Sequence, residues 1–244
     1  MQNFEKTVNL SMNDSKWKKV ALKFFILCIL GASAFYVYLQ HNKATVDKLP
    51  LLKNADLVFQ TDTSSQALAI MYASGSLYSH MGIIKIPESG EPLVVEAVGP
   101  VREEPLSRWI RQGIAGQLTI KRIKDLDPAI AQKVLLKAKD YYGRPYDFFF
   151  TFDDDKIYCS ELVYDAFMGT GISLGKVQKL SDLNTNNFAV QELIEKRWQS
   201  YPLCQTMKNK NFEDCKKIIL EQPLITPQSI ADDPRLETIY SNYP

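Results

Sequence analysis

Residues 78–100 read YSHMGIIKIPESGEPLVVEAVGP, and this stretch decides the fold. Residues 78–86 and 92–99 are rich in Val, Ile and other apolar side chains, which predicts two β-strands. Between them, residues 87–91 (PESGE) form a turn-rich connection. The sequence therefore predicts two consecutive strands that pair through a short turn.

Two titratable residues lie within this predicted pair of strands. If Ile86 faces Pro92, the numbers of paired residues sum to 178, and His80 and Glu96 are diagonal neighbours on one face, roughly 7–8 Å apart at Cα. A two-residue change of register puts them directly opposite each other, and a one-residue slip puts them on opposite faces. Because a carboxylate inside an apolar run needs a partner, we expect Glu96 to bind the imidazole of His80.

The other elements follow from hydrophobic periodicity and from capping signals. The patterns predict strands at 55–59 and 118–123, and helices from Ser64 or Ser65 to about Ala73, from Asp127-Pro128 to Gly143, through Cys159 to about Gly169, from about Ala189 to Trp198, and a short one opening at Thr226-Pro227. Consecutive strands with helices at both ends predict an α+β fold, in which an antiparallel sheet packs with helices.

Cys159 is the candidate nucleophile. It lies in the first turn of a predicted helix, where unpaired N–H groups and the helix dipole favour a negative charge on sulfur. A thiol attacks a carbonyl as thiolate, and His80 is the one histidine after the apolar N-terminal segment that can serve it. Core packing for Cys159 and a structural role for His80 remain the alternatives at this point.

The N-terminal segment has the features of a membrane anchor. Residues 24–39 (FFILCILGASAFYVYL) carry no charge, and residues 20–22 extend the apolar stretch to about 20 residues, which matches a bilayer core. Four lysines cluster before it, and fewer cations follow it, which places the N-terminus in the cytoplasm. We expect a cytoplasmic segment at 1–19, a transmembrane signal anchor at 20–40, a linker at 41–49 and a periplasmic domain at 50–244 on a single-pass inner-membrane protein.

Two alternatives to the anchor remain open. Ala32-Ser33-Ala34 resembles a small-x-small cleavage site, so the segment can also be a signal peptide that is removed. A buried core helix is the other interpretation, although no polar face interrupts the apolar run. In both the anchor and the signal-peptide interpretation the domain is exported.

The cysteines agree with export. Past the apolar segment there are three, Cys159, Cys204 and Cys215, and an odd count in an oxidising compartment leaves one thiol free. Cys204 and Cys215 are close in sequence and can pair, which would leave Cys159 as the free thiol. A disulfide between them would close a short loop and, in the chain-entropy model, would stabilise the folded state by roughly 3 kcal/mol.

Composition excludes several classes of function. With 29 basic and 28 acidic residues, the net charge of +1 argues against a nucleic-acid partner, which needs excess Lys and Arg on one face. Two His and four Cys are too few and too scattered for a structural zinc site. We therefore expect no metal, no cofactor and no nucleic acid.

Six spaced motifs resemble one protein family over about residues 50–240. The chain is similar to the permuted papain-like amidases of the YiiX/YaeF type, distant relatives of the NlpC-type cell-wall peptidases, through the motifs ADLVFQ (55–60), YSHMGII (78–84), VVEAVGP (94–100), YYGRPYDFFF (141–150), YCSELVYDAF (158–167) and ITPQSI (225–230). In that family the His and the polar third residue precede the Cys. The resemblance thus implies a circularly permuted papain-like (NlpC-type) fold and a triad of Cys159, His80 and Glu96.

The resemblance also implies an activity. A membrane-tethered cysteine amidase or peptidase would hydrolyse a peptidyl or N-acyl amide of the cell envelope, such as a peptidoglycan stem peptide, through a thioester. Relatives of the lecithin:retinol acyltransferase kind make a lipid-directed acyltransferase or deacylase the alternative. A degenerate, non-catalytic module that binds envelope peptides is the third interpretation.

Overall fold

The computed structural model describes residues 14–152, 155–208 and 211–243. Its contacts divide the chain into two units after Lys43. In the first unit, helix α1 (Asp14–His41) contains the stretch Trp17–Tyr38, which is long and apolar enough to cross a membrane by length and composition. Most of the predicted cytoplasmic segment lies outside the described residues.

A six-stranded sheet organises the second unit, with the strand order β4-β3-β2-β1-β5-β8 and antiparallel pairing throughout. A separate two-stranded sheet pairs β6 with β7. The strands are β1 (Leu57–Gln60), β2 (His80–Lys85), β3 (Leu93–Glu96), β4 (Arg102–Pro105), β5 (Thr119–Ile123), β6 (Gln178–Lys179), β7 (Pro223–Leu224) and β8 (Leu236–Ser241).

Helices cover both faces of the main sheet, so the central strands are buried on both sides. One core holds the side chains of α4 and α5 against β1 and β2, and the other holds Trp109 of α3. The helices are α2 (Ala67–Ser74), α3 (Leu106–Gln112), α4 (Pro128–Lys139), α5 (Cys159–Met168), α6 (Phe188–Arg197), α7 (Pro202–Gln205), α8 (Phe212–Glu221) and α9 (Pro227–Ala231).

The predicted α+β arrangement with an antiparallel sheet is confirmed. Two helices also begin at the N-cap residues that the sequence indicated. Asp127 accepts the N–H of Ala129 at 2.7 Å at the start of α4, and Thr226 accepts the N–H of Ser229 at the start of α9. The expected Ser cap of α2 is wrong. That helix begins at Ala67, and its N-cap residue makes no side-chain cap hydrogen bond.

The compact unit also begins earlier than the predicted domain boundary at residue 50. Ala44 is buried, and Val46 and Leu49 pack against the core that contains Trp109. Apolar side chains spaced along this otherwise polar segment are enough to fold it onto the domain.

A third core lies between α6, α7 and α8, around a disulfide between Cys204 and Cys215. This is the pairing that the sequence allowed but left open. Among the described residues Cys159 is free and buried, and Cys28 of α1 is free and exposed.

Candidate active site

The β2–β3 hairpin brings His80 and Glu96 together. Ile83 pairs with Val95 and Ile84 with Val94, so the numbers of paired residues sum to 178, as predicted. His80 Nε2 lies 2.8 Å from Glu96 Oε2, and both side chains are almost completely buried. The diagonal contact expected from the hairpin is therefore confirmed.

Gly82 leaves the space that this contact needs. Continued by one residue, the register places Glu96 opposite Gly82, and a Cβ at Gly82 would lie 2.4 Å from Val94 Cγ1 and 3.6 Å from Glu96 Cβ. Since real Cβ atoms do not approach a neighbour so closely, any side chain at position 82 would push β3 away from β2.

Two further groups hold the Glu96 carboxylate, and sequence reasoning missed both roles. The Trp109 indole N–H donates to Oε2 at 3.0 Å, and Arg102 Nε donates to Oε1 at 3.4 Å. Trp109 is fully buried, whereas the Arg102 side chain is 46% exposed. The indole thus fixes the carboxylate in place, and the arginine meets it from the solvent side.

Cys159 is the first residue of α5, the helix that packs against β2. The Glu161 carboxylate accepts the N–H of Tyr158 at 3.2 Å and so stabilises the start of the helix. The next N–H groups of the first turn point toward the Cys159 end, where they favour a negative charge on Sγ or on an oxyanion beside it.

His80 joins the two other groups. Its imidazole hydrogen-bonds Cys159 as well as Glu96, and because Nε2 faces Glu96, Nδ1 is the nitrogen left for the thiol. Burial lowers the pKa of His80, but the hydrogen bonds and charges of Cys159 and Glu96 outweigh it and raise the pKa to about 10. At neutral pH the ring is therefore an imidazolium between two groups that carry or accept negative charge.

Tyr146 adds a hydroxyl beside the thiol. It is buried, its oxygen accepts the Gln66 Nε2–H at 2.8 Å, and no acceptor for its own O–H is present among the described residues. Burial first, and then the charges of Cys159 and Asp62, raise its pKa well above the usual range. Tyr146 therefore stays protonated and can donate a hydrogen bond near Cys159.

A cleft opens from Cys159 and encloses about 790 Å³, including the space at its mouth. Its lining is mostly apolar and comes from α2, α6, α8 and the aromatic run at 148–150. The third core, with its disulfide, lies behind the α6 and α8 walls. The sequence could not assign most of this lining, because the walls come from segments far apart in the chain.

The described residues do not fit a metal ion. Across 14–152, 155–208 and 211–243, no three His, Cys, Asp or Glu side chains are placed to hold one. We therefore derive no step through a metal.

Comparison with known families identifies one match. The sequence profile of the family described as permuted papain-like amidase enzymes, YaeF/YiiX, C92 family, matches residues 52–240. That range contains His80, Glu96 and Cys159.

Two relatives agree with this match. The chain is 34% identical over 194 residues to the uncharacterized protein YiiX of Escherichia coli K12, which covers 79% of this chain and 88% of that protein. It is also similar to a crystal structure of the metalloprotein YiiX from Escherichia coli O157:H7, with a TM-score of 0.69 and 35% identity over 79% of this chain and 98% of that one.

Proposed function

The chain belongs to the permuted papain-like amidases of the YaeF/YiiX type, and we propose that it is a cysteine amidase with a triad of Cys159, His80 and Glu96. The observation that carries the proposal is the single buried imidazole that hydrogen-bonds a carboxylate on one side and a thiol on the other. A thiol, a proton carrier and a group that orients it are the parts that nucleophilic amide cleavage needs.

In the first half of the reaction, Cys159 Sγ attacks the amide carbonyl carbon as a thiolate. The oxyanion that forms takes hydrogen bonds from N–H groups of the α5 N-terminus and from the Tyr146 hydroxyl. As the C–N bond breaks, the His80 imidazolium gives its proton to the departing nitrogen, so the amine leaves neutral and a thioester stays on Cys159.

In the second half, a water oxygen attacks the thioester carbonyl and the C–S bond breaks. The neutral His80 takes a proton from that water, which restores the imidazolium and the thiolate. Glu96, held by Trp109, keeps the ring oriented and balances its charge through both halves. The net reaction consumes one amide and one water and yields one acid and one amine.

The lining of the cleft supports an acylated substrate over a fully polar peptide. An apolar cavity that opens at the nucleophile suits an alkyl chain, whose burial contributes about 0.8 kcal/mol per CH₂. An N-acyl amide thus fits the cleft better than a peptidoglycan stem peptide does. The same lining favours a second candidate, a lipid-directed acyltransferase, in which another nucleophile replaces water in the second half.

We also place the domain outside the cytoplasm on an N-terminal anchor. Helix α1 contains the apolar stretch Trp17–Tyr38, the lysines cluster at the N-terminal end of that stretch, and the Cys204–Cys215 disulfide suits an oxidising compartment. Protease added to spheroplasts should digest the domain of the intact chain. Protection of the domain until the membrane is permeabilised would contradict this placement.

Product analysis tests the proposed activity. The full chain is incubated with N-acyl amino acids and with muropeptides, and products are identified by mass spectrometry beside Cys159→Ala. We expect acid and amine from the wild type and no turnover from Cys159→Ala, with the fold retained by circular dichroism. Cys28→Ser is the matched control, since it removes the exposed free thiol and should leave turnover unchanged.

A thiol probe separates an enzyme from a binding module. In the Cys28→Ser background, iodoacetamide should label Cys159 rapidly, and His80→Ala should abolish that rapid labelling. Labelling at the rate of an ordinary thiol, unaffected by His80→Ala, would favour the non-catalytic module. Transfer of the acyl group to an added amine or alcohol in preference to water would identify the acyltransferase.

A further inference from the structure

The wall of the mostly apolar cleft contains several polar side chains, among them Ser160 and Thr226, and three of them stand out. Arg197 ends α6, Tyr201 precedes α7 and Gln222 follows α8, and all three line the cavity that opens at Cys159. None of them has a part in the reaction steps given above. Each also carries hydrogen-bonding capacity that the described residues leave unused.

Arg197 has no acidic partner within the part of the chain that the structure describes. Its guanidinium donates to the Phe148 carbonyl and to Gln66 Oε1, the latter at 3.1 Å, which leaves three of its five N–H groups without an acceptor. The nearby Asp147 carboxylate is engaged by the N–H groups of Phe149 and Thr151 and by the Thr151 hydroxyl.

Arg197 brings a permanent positive charge to the wall of the cleft. Burial lowers the pKa of Arg197, an effect that Tyr146 and Asp147 offset in part, and a guanidinium stays charged regardless. The side chain is half-buried and its guanidinium also lies over the Phe148 ring, 5.7 Å from the ring centroid. Its remaining N–H groups can therefore donate to an anion that enters the cleft.

Tyr201 and Gln222 are buried and incompletely paired. The Tyr201 hydroxyl and Gln222 Oε1 have no hydrogen-bond partner among the described residues, although their residues are only 2% and 7% exposed. The Gln222 amide is oriented by its Nε2, which donates to the carbonyls of Phe149 and Phe150. Burial raises the pKa of Tyr201 to about 12, so its hydroxyl remains a donor.

These three side chains converge on one short turn. Arg197 binds the Phe148 carbonyl, Gln222 binds the Phe149 carbonyl, and the Tyr201 ring packs on the Phe149 ring with centroids 5.7 Å apart. The side chains that surround this turn thus include two donors, a guanidinium and a phenol, and one acceptor, an amide oxygen. A carboxylate next to an amide N–H is the complement of that set.

We propose that Arg197, Tyr201 and Gln222 form a subsite for the α-carboxylate and amide N–H of an N-acyl amino acid, so that the amine released is a free amino acid. This inference rests on the proposed amidase function and narrows its substrate. Arg197 and Tyr201 donate to the carboxylate, and Gln222 Oε1 accepts the amide N–H. Gln66 links Arg197 to Tyr146, which places the subsite next to the thiol.

A pair of substrates that differ by one charge tests the subsite. For the full chain, kcat/KM is measured with N-dodecanoyl-alanine and with the neutral N-dodecanoyl-alaninamide. We expect the acid to be preferred by about 10- to 100-fold, the value of a charge-assisted hydrogen bond in a partly dry site. Arg197→Met should bring the ratio close to one, and Tyr201→Phe, which removes a hydroxyl that no protein group needs, should lower it several-fold.

Lys196→Met is the matched control. Lys196 is the adjacent cation and pairs with Glu192 on the exposed face of α6, so its loss should leave the ratio unchanged. If Arg197 only braces Gln66 and Phe148, then Arg197→Met lowers kcat/KM for both substrates by the same factor. A ratio that Arg197→Met leaves at its wild-type value overturns the subsite.

Failure of the amidase proposal would look different. If the wild type hydrolyses neither compound, the activity is wrong, and calorimetric binding of both compounds to Cys159→Ala then decides the subsite. The subsite is supported if Cys159→Ala binds N-dodecanoyl-alanine more tightly than the alaninamide and the double variant with Arg197→Met does not. Equal binding of the two compounds to Cys159→Ala overturns the subsite.

Discussion

Glu96→Gln separates the effect of the carboxylate charge in the proposed triad from the effect of its geometry. In the wild type the Trp109 indole N–H and the His80 Nε2–H both donate to Glu96 Oε2, and the amide oxygen of Gln can accept both of these hydrogen bonds. The amide NH₂ then faces Arg102, which is half-exposed and can turn toward solvent. The variant should therefore keep the fold and the position of the ring while it removes the negative charge beside it.

The size of the effect follows from the contact. A hydrogen bond to a charged partner contributes about 1.5–3 kcal/mol, and the 2.8 Å contact between two buried side chains is of that kind. Since 1.36 kcal/mol corresponds to one pKa unit, the pKa of His80 should fall from about 10 by about one to two in Glu96→Gln. Turnover should fall by about 10- to 100-fold at neutral pH.

Histidine NMR measures this without a substrate. The chain has two histidines, His41 and His80, so ¹⁵N-histidine labelling gives two ring titrations, and His41→Gln assigns them. In the wild type His80 should titrate far above the ordinary 6.5. Because the folded pKa is the higher one, the imidazolium stabilises the fold fully below about pH 6.5, and that contribution is lost as pH rises toward 10.

Glu104→Gln provides the control. Glu104 is a buried carboxylate in β4 that pairs with Arg102 and Arg108 and does not touch His80. This variant should leave the His80 titration unchanged. The reasoning is refuted if His80 has the same pKa in Glu96→Gln as in the wild type. It is also refuted if the pKa of His80 in the wild type is 6.5 or lower.

Three further changes test the surroundings of the proposed triad. Tyr146→Phe should lower kcat by about 10- to 100-fold with KM nearly unchanged, since it removes one oxyanion donor; an unchanged kcat would exclude that role. Gly82→Ala should cost about 1–3 kcal/mol of unfolding free energy in urea, because its Cβ would meet Val94 at 2.4 Å; wild-type stability would show that the hairpin can yield. Replacing Cys204 and Cys215 with Ser should cost about 3 kcal/mol by the chain-entropy relation for a separation of 11 residues; an unchanged urea midpoint would contradict it.

Several predictions that depended on neighbouring residues are confirmed, although the Ser cap of α2 is not. The turn between the two hairpin strands fixes how they pair, so the contact of His80 with Glu96 could be expected from spacing alone. Helix α4 begins where the sequence predicted, because Asp127 caps its N-terminus and Pro128 occupies the first helical position. Strand β4 was missed because its sequence is mostly charged, and strand β8 because its apolar residues do not alternate with polar ones. Pairing with a neighbouring strand stabilises both.

The roles of Trp109 and Arg197 had no local signal. An indole that holds Glu96 and a guanidinium that lines the cleft look like ordinary core and surface residues in the sequence, and only the folded chain brings them to the site. The same holds for the cleft, whose walls come from α2, α6 and α8. The amino-acid order alone determined the hairpin, the cysteine at a helix start and the apolar N-terminal helix, because these follow from backbone periodicity and contacts close in the chain. Tertiary packing decided what surrounds Cys159, because residues more than a hundred positions apart meet there, and no local rule encodes such distances.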